Sequence, residues 1–242
     1  NLKIFAIYPP TLILFGFFAF SGISLSPRIV EIIDHVKSDC GRTMEYKFWK
    51  PRMNEIKEKS ISPIRVNAVT VFCGSSSGFN NAFSDAASSL GKTLATRGIK
   101  LIYGGGRSGL MGILADSALA SKGTVIGVIP DFLKNRELAH PGLTDLHVVS
   151  NMHERKQKMF DLAEAFIVLP GGIGTLEEAF EVLTWKQLKR HNKPIIIINT
   201  DNYWSPLDTL IKATVTDQFA KPGTQELYTM VSTADEAVAC LI

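Results

Sequence analysis

The sequence predicts the α/β fold class, with a doubly wound parallel sheet that carries helices on both faces. Three observations carry this prediction. From residue 66 onward, short apolar segments alternate with longer segments of helical periodicity. The short segments are apolar throughout, as parallel strands covered on both faces require. Three turns rich in small residues each follow such a strand, at the position where these sheets bind ligands. We therefore expect a Rossmann-like architecture.

The predicted elements follow one another in regular order. The strands are predicted at residues 66–73, 99–103, 124–129, 146–149, 165–169 and 194–199. The helices are predicted at residues 81–96, 110–121, 152–163 and 176–190. Each helix follows a strand, which is the connection that a parallel sheet needs.

Composition excludes several classes of protein. The chain of 242 residues has 45% hydrophobic residues, 20% charged residues and a net charge of +3, without the basic excess that binding to nucleic acid requires. Cys40, Cys73 and Cys240 are scattered and form no CxxC pair. This spacing argues against a disulfide framework and against a zinc site.

The first part of the chain differs from the rest. Residues 4–27 carry no charge and include the run "TLILFGFFAF", which fits either a targeting or membrane segment or an extension outside the native fold. Residues 28–59 are mixed and polar, as in a linker or a peripheral helix. We divide the chain into an extension, residues 1–62, and a catalytic domain, residues 63–242, for which we expect no membrane segment.

A chain truncated to residues 63–242 is expected to stay folded and active, because every motif described below lies after residue 62. Its melting temperature and its specific activity should match those of the full chain. Loss of either would assign the extension to the domain.

The three turns are "CGSSSG" at residues 73–78, "GGGRSGLMG" at residues 104–112 and "PGGIGT" at residues 170–175. Their small residues let the backbone approach a ligand, and the following helix N-termini present free N–H groups to an anion. The binding residues expected in the first two turns are Ser75, Gly105 and Gly106. Gly104-x-Gly106-x-x-Gly109 with Asp131 also matches a dinucleotide fingerprint, so nicotinamide binding is an alternative. None of these turns ends in the Gly-Lys-Ser/Thr of a nucleoside triphosphate loop.

Two basic residues interrupt the apolar stripe of the predicted helix 152–163. Met152, Met159, Phe160 and Ala163 form this stripe at helical spacing. Arg155 and Lys156 fall within it. Either both side chains extend past the stripe to water, or Arg155 meets an anion or a carboxylate bidentately at the ligand edge of the sheet.

The stretch "PGGIGTLEE" at residues 170–178 places two carboxylates directly after a glycine turn. Thr175 and Glu178 match a capping box, with Thr175 as the N-cap of a helix. The core face of this helix is predicted to comprise Leu176, Ala179, Phe180 and Leu183. A capping box needs only one glutamate, and ionised carboxylates suit sugar hydroxyls or a positive charge that develops during reaction.

Taken together, "FCGSSSG", "YGGGRSGLMG", "MHERKQKM" and "PGGIGTLEE" resemble the LONELY GUY family of cytokinin riboside 5'-monophosphate phosphoribohydrolases. The resemblance covers about residues 64–242. It implies hydrolysis of the N-glycosidic bond of an N6-substituted adenosine monophosphate to the free base and ribose 5-phosphate. It also implies a homodimer, no metal or organic cofactor, and a cytoplasmic location with the nucleus as a second compartment.

The resemblance assigns roles to individual residues. It implies that Arg155 and Glu178 are catalytic. The substrate-binding residues that it implies are Glu137, Lys156, Gly171, Gly172, Ile173, Gly174, Thr175, Leu176, Glu177 and Thr184, with Arg155 counted again among them.

The predicted chemistry fits these residue types. Cleavage of an N-glycosidic bond builds positive charge on the ribose, which the Glu178 carboxylate can stabilise. The phosphate would lie on the N–H groups of residues 172–175, and Arg155 would either orient Glu178 or hold the phosphate. Two other functions stay open: a nucleosidase acting on plain AMP, and a non-catalytic carrier of a nucleotide or of the molybdenum cofactor. No lysine stands in a recognisable setting for a pyridoxal phosphate Schiff base.

Overall fold

A computed structural model describes residues 66–134 and 138–242. The strands within these residues are β1 (Ala68–Phe72), β2 (Lys100–Tyr103), β3 (Val125–Pro130), β4 (Asp145–Val149), β5 (Ala165–Val168), β6 (Ile195–Ile198) and β7 (Thr229–Val231). The α-helices are α1 (Asn81–Thr96), α2 (Gly109–Ala120), α3 (Met152–Leu162), α4 (Ile173–Gln187), α5 (Ser205–Thr216) and α6 (Ala234–Ala239).

The described strands form one parallel sheet in the order β4-β3-β2-β1-β5-β6-β7. The chain moves outward from β1 to β4 and then returns to β5 on the other side of β1. Strand order therefore reverses between β1 and β5, and doubly wound sheets bind ligands in the crevice at such a point. The predicted fold class is confirmed.

Each face of the sheet has its own hydrophobic core. Alternate residues of β1 supply them: Val69 and Val71 pack with α1, α2 and α6, whereas Ala68 and Phe72 pack with α3, α4 and α5. Both faces of the central strands are therefore apolar and buried, which explains why those strand segments are hydrophobic.

Most of the predicted elements are found close to their predicted ends. All six predicted strands are present, and the helix predicted at residues 81–96 is observed as α1 with those bounds. The helix predicted at residues 176–190 begins three residues earlier, at Ile173. β7, α5 and α6 were not predicted from the sequence; β7 is a three-residue edge strand without a fully buried residue.

Among the described residues, no helix is both long and apolar enough to cross a membrane. The apolar run at residues 4–27 lies outside the described residues, as do Cys40 and Glu137.

Candidate active site

The three small-residue turns meet at the carboxyl edge of the sheet. The N–H of Gly74, in the turn after β1, donates to the carbonyl of Pro170, in the turn after β5, at 3.0 Å. Gly109, at the end of the turn after β2, has φ +59°, and a Cβ built there would lie 2.3 Å from the carbonyl carbon of Ser75. The prediction that all three turns share one edge is confirmed.

A cavity of about 260 Å³ lies between the first and third turns, at the point where strand order reverses. Ser75, Gly171 and Gly172 line one side, and the rings of Phe83 and Tyr203 line another. Its walls thus combine backbone and hydroxyl groups with aromatic surface, which suits a ligand that carries both an anionic group and an apolar part.

The N-terminus of α4 opens to solvent beside this cavity. Gly172 is the N-cap in an extended conformation, and Gly172, Ile173 and Gly174 are exposed. A Cβ built onto Gly172 or Gly174 would meet no atom within 4 Å. The first N–H groups of a helix have no intrahelical acceptors, so this terminus is accessible to an anion.

The capping box predicted at Thr175 and Glu178 is wrong. Because Gly172 caps α4, Thr175 is the third residue of the helix, and its side chain packs back onto Gly171. Both Thr175 and Glu178 are buried. The helix instead points Glu178 inward, toward α3.

A related cap occurs at the start of α3, where the sequence analysis did not place one. The Asn151 side chain accepts from the N–H of Glu154 at 2.9 Å, and the Glu154 carboxylate accepts from the N–H and the hydroxyl of Ser150. The two hydrogen bonds from Ser150 lower the pKa of the Glu154 carboxyl. The signal was present as Asn-x-x-Glu before the helical segment. This cap fixes the start of α3 and so the direction in which Arg155 points.

Arg155 lies one turn into α3 and is only 6% exposed. Its Nη2 is 3.6 Å from Oε1 of Glu178, and its Nη1 lies 3.9 Å from the sulfur of Met152. Its Nε has no hydrogen-bond partner among the described residues. The side chain therefore does not extend to water, and Arg155 meets the Glu178 carboxylate through Nη2 at 3.6 Å; the bidentate pairing stays a prediction.

The absence of a side chain at Gly104 leaves room for the guanidinium of Arg155. A Cβ on Gly104 would lie 2.3 Å from Nη2 of Arg155 and 3.1 Å from the sulfur of Met111. The backbone of the second turn thus packs directly against the guanidinium of Arg155. The glycines of this turn were predicted to bind phosphate, and the packing of Gly104 against Arg155 was not predicted.

The sequence predicts that Arg155 and Glu178 are catalytic, so Gly104→Ala is expected to lower kcat/KM by about tenfold or more, because the new methyl group displaces Arg155 from Glu178 and misplaced groups lose rate steeply. Steady-state kinetics of base release measures the effect. Gly223→Ala is the matched control, since a Cβ at that exposed position meets nothing within 4 Å. Equal activity of both variants would contradict the role given to Gly104.

Lys156 faces two carboxylates on α4. Its ammonium forms a short ion pair with Glu177 and lies 3.1 Å from Oε1 of Glu181. Desolvation alone would lower the pKa of Lys156, but these hydrogen bonds outweigh it and raise the pKa above the ordinary value. Lys156 therefore stays charged and connects α3 to α4.

Gly105 and Gly106 are not among the residues that line the cavity. Both are buried; Gly105, with φ +77°, packs close to Ile129, and Gly106 forms an antiparallel bridge with Ala139. This pairing holds the segment that follows β3 against the second turn. It also disfavours the nicotinamide alternative, because Gly106 in the fingerprint pairs with backbone and Gly109 is covered by the first turn.

Cys73 directly follows β1 and lies close to the pair of Arg155 and Glu178. Burial raises the pKa of its thiol, and the negative charge of Glu178 raises it further. A thiol in this state is protonated at neutral pH and is a poor nucleophile. Covalent catalysis by Cys73 has no support here.

Thr184 lies away from these turns. It borders a second cavity of about 360 Å³ between α4, α5 and the segment before β7. Phe180, Leu210 and Phe219 also line this cavity and are 40%, 59% and 89% exposed. Ala179 and Leu183 are buried as predicted, but the expectation that Phe180 faces the core is wrong, because its ring lies at the exposed edge of α4. Leu176 is half-buried against the core.

The sequence of this chain is similar to those of several known proteins. A family model described as "Possible lysine decarboxylase" matches residues 111–241. A cytokinin riboside 5'-monophosphate phosphoribohydrolase of Rhodococcoides fascians is 46% identical over 175 residues, which is 72% of this chain and 88% of that protein. The enzyme of that name from Arabidopsis thaliana, LOG3, is 42% identical over 184 residues, 76% of this chain and 86% of its own.

Several solved structures have a fold similar to that of this chain. The molybdenum cofactor carrier protein of Chlamydomonas reinhardtii matches with a TM-score of 0.54 at 19% identity, covering 73% of this chain and 96% of that one. The molybdenum cofactor binding protein of Rippkaea orientalis matches with a TM-score of 0.56 at 20% identity, covering 74% and 96%. At such low identity these two proteins share the fold, and their ligand says nothing about this site.

Proposed function

The chain belongs to the LONELY GUY family of phosphoribohydrolases, and we propose on that basis that it hydrolyses the N-glycosidic bond of an N6-substituted adenosine 5'-monophosphate. In this reaction water adds its oxygen to C1' of the ribose and its proton to the departing base. The products are the free base and ribose 5-phosphate. The observation that carries the proposal is the buried pair of Arg155 and Glu178 beside the open N-terminus of α4.

The phosphate and the ribose of the substrate bind at different ends of the proposed site. The 5'-phosphate binds the N–H groups of Gly172 to Thr175, where the helix dipole also favours negative charge. The first-turn hydroxyl of Ser75 lies along the same cavity and is available to the phosphate. The charge that develops on the ribose meets the Glu178 carboxylate, one helical turn further on.

Arg155 orients the Glu178 carboxylate in this proposal. Its Nη2 lies beside Oε1 of Glu178, whereas its Nε has no partner among the described residues. A buried, unpaired donor is unfavourable without a ligand, so Nε is available for an oxygen of the substrate. The two roles that sequence left open for Arg155 are thus compatible, since different nitrogens serve them.

Lysine decarboxylation, which the description of the family model suggests, has no support at Lys156. A Schiff-base lysine must lose its proton to react. Lys156 is the basic residue next to Arg155, and its pKa is held above the ordinary value by Glu177 and Glu181 despite desolvation. A lysine in this state is an ion-pair partner and a poor amine nucleophile.

A competition assay tests the substrate. Equal concentrations of N6-isopentenyladenosine monophosphate and AMP are incubated together with the enzyme, and both free bases are followed by chromatography. We expect isopentenyladenine to be released faster. Faster release of adenine would favour the AMP nucleosidase, and release of neither base would favour a carrier.

We also propose that the protein is a homodimer that uses the apolar surface formed by Phe180, Leu210 and Phe219. Exposed apolar side chains grouped around one cavity are typical of an interface between protein chains. A dimer built in this way would bring Thr184 to the interface, since it borders the same cavity. The cytoplasmic location implied by the family stays a prediction.

Leu210→Glu is expected to convert the dimer into a monomer, because the interface would bury an unpaired charge. Sedimentation velocity at micromolar concentration measures the change. Lys92→Glu, which changes charge on α1, is the control and should sediment like the wild type. A Leu210→Glu variant that sediments as a dimer would contradict the proposed interface.

A further inference from the structure

Tyr203 makes a direct contact with the turn that precedes α4. Its hydroxyl donates a hydrogen bond of 2.6 Å to the carbonyl of Gly171. Its ring packs edge-to-face against Phe83, at 5.3 Å between centroids, and against Trp204, at 4.8 Å. Tyr203 therefore combines a fixed ring with one polar contact to the glycine turn.

The loop that carries this tyrosine is itself held in a strained form. Asp201 and Asn202 have φ values of +51° and +60°, which are uncommon outside glycine. The Asp201 carboxylate accepts from the Asn80 side chain at 2.5 Å, and the Asn199 side chain accepts from the N–H of Trp204 at 2.7 Å. Strained backbone persists only where surrounding contacts fix it, and it gathers at functional sites.

The carbonyl that Tyr203 holds belongs to the same planar peptide unit as the N–H of Gly172. In a trans peptide these two groups point in opposite directions. Fixing the Gly171 carbonyl on one side therefore fixes the Gly172 N–H on the other side. Gly172 is the N-cap of α4, so this N–H stands at the anion-binding end of the helix.

Two consecutive glycines make this peptide unit easy to turn over. A flip would bring the φ of Gly172 from −95° to a positive value, which glycine accepts without steric cost. A Cβ built onto Gly172 meets nothing within 4 Å, so the Gly172 side of this peptide unit is open, whereas Gly171 packs closely against Thr175. The Tyr203 hydroxyl is a contact that opposes it.

We propose that Tyr203 is a positioning residue that keeps the peptide unit between Gly171 and Gly172 in the orientation that binds the 5'-phosphate. This inference rests on the proposed function, because it takes the phosphate to lie on the N-terminus of α4. Tyr203 acts through the backbone of the turn, so its effect falls on the phosphate and leaves the base and the bond-breaking step unchanged.

Tyr203→Phe separates the hydroxyl from the ring. We expect the dissociation constant for ribose 5-phosphate, measured by calorimetry, to rise about fivefold, as for loss of one hydrogen bond. The dissociation constant for the free base should stay the same. In turnover, KM for the monophosphate should rise by a similar factor with little change in kcat, since phosphate contacts are equal in ground and transition states.

Thr93→Val is the control, because it also removes a hydroxyl hydrogen bond, to Asp235, near the far end of α1. It should alter neither ligand's affinity. If Tyr203→Phe leaves ribose 5-phosphate binding unchanged, or weakens both ligands alike together with a lower melting temperature, Tyr203 has no positioning role. A wild type that binds no ribose 5-phosphate also overturns the inference. A wild type that cleaves no monophosphate, yet shows the selective loss in Tyr203→Phe, overturns the proposed function and leaves the inference standing.

Discussion

Glu178→Gln is expected to lower the rate of base release at least about a hundredfold, comparable with loss of one electrostatic group from an active site. The substitution keeps size and one acceptor but removes the negative charge. An oxocarbenium-like ribose then lacks its stabilising partner, whereas the phosphate contacts at Gly172 to Thr175 are kept. Single-turnover kinetics with saturating enzyme measures the effect on the chemical step, and we expect KM to change little.

Glu178→Gln is also expected to lower the stability of the fold. Loss of a residue that served only as a helix cap typically costs about 1 kcal/mol. Glu178 is instead buried against Arg155, with side chains 10% and 8% exposed. A glutamine leaves the guanidinium buried without its counter-charge, so we expect a loss of about 1–3 kcal/mol in the free energy of unfolding.

Glu177→Gln is the matched control on the same helix. Its side chain is 50% exposed and pairs with Lys156, which also contacts Glu181. We expect less than a tenfold loss of rate. Near-normal turnover in Glu178→Gln would mean that the carboxylate only supports the turn structurally.

Arg155→Gln is expected to lower kcat/KM at least about a hundredfold, because it removes both the group that orients Glu178 and the unpaired Nε donor. If the two residues act as a unit, the double variant Arg155→Gln with Glu178→Gln should be no slower than the slower single variant. A double-mutant cycle of kcat/KM values measures this coupling.

Arg190→Gln removes an exposed arginine after α4 and serves as the control, for which we expect wild-type kinetics. Strictly additive losses in the cycle would contradict the coupled pair. Such additivity would show that Arg155 and Glu178 contribute to catalysis independently.

The sheet was predictable because its signals are local. The central strands are apolar on both faces, and the cores on the two sides of β1 require that pattern; the edge strand β4 is partly exposed. The helix α1 was predicted to the residue, since Asn80 caps it and its apolar spacing is regular. β7 gave no such signal, because a three-residue, partly exposed edge strand depends on pairing with β6.

The site was predictable in part. Because Arg155 lies within an apolar stripe, the sequence left open whether its side chain extends to water or meets an anion or a carboxylate. Only its three-dimensional contacts with Glu178 and Gly104 answer that question. The cap at Thr175 was mispredicted because two glycines before it offer another helix start. The contact of Tyr203 with Gly171 spans 32 residues, and no local pattern indicates it.

Identification of the products from N6-isopentenyladenosine monophosphate tests the central claim most directly. The purified wild type is incubated with this nucleotide in water enriched in oxygen-18, and the products are analysed by mass spectrometry. We predict isopentenyladenine and ribose 5-phosphate in equal amounts, with one labelled oxygen in the sugar product and release abolished or strongly slowed in Glu178→Gln. Recovery of the intact nucleotide, or loss of phosphate with the glycosidic bond unbroken, would contradict the account.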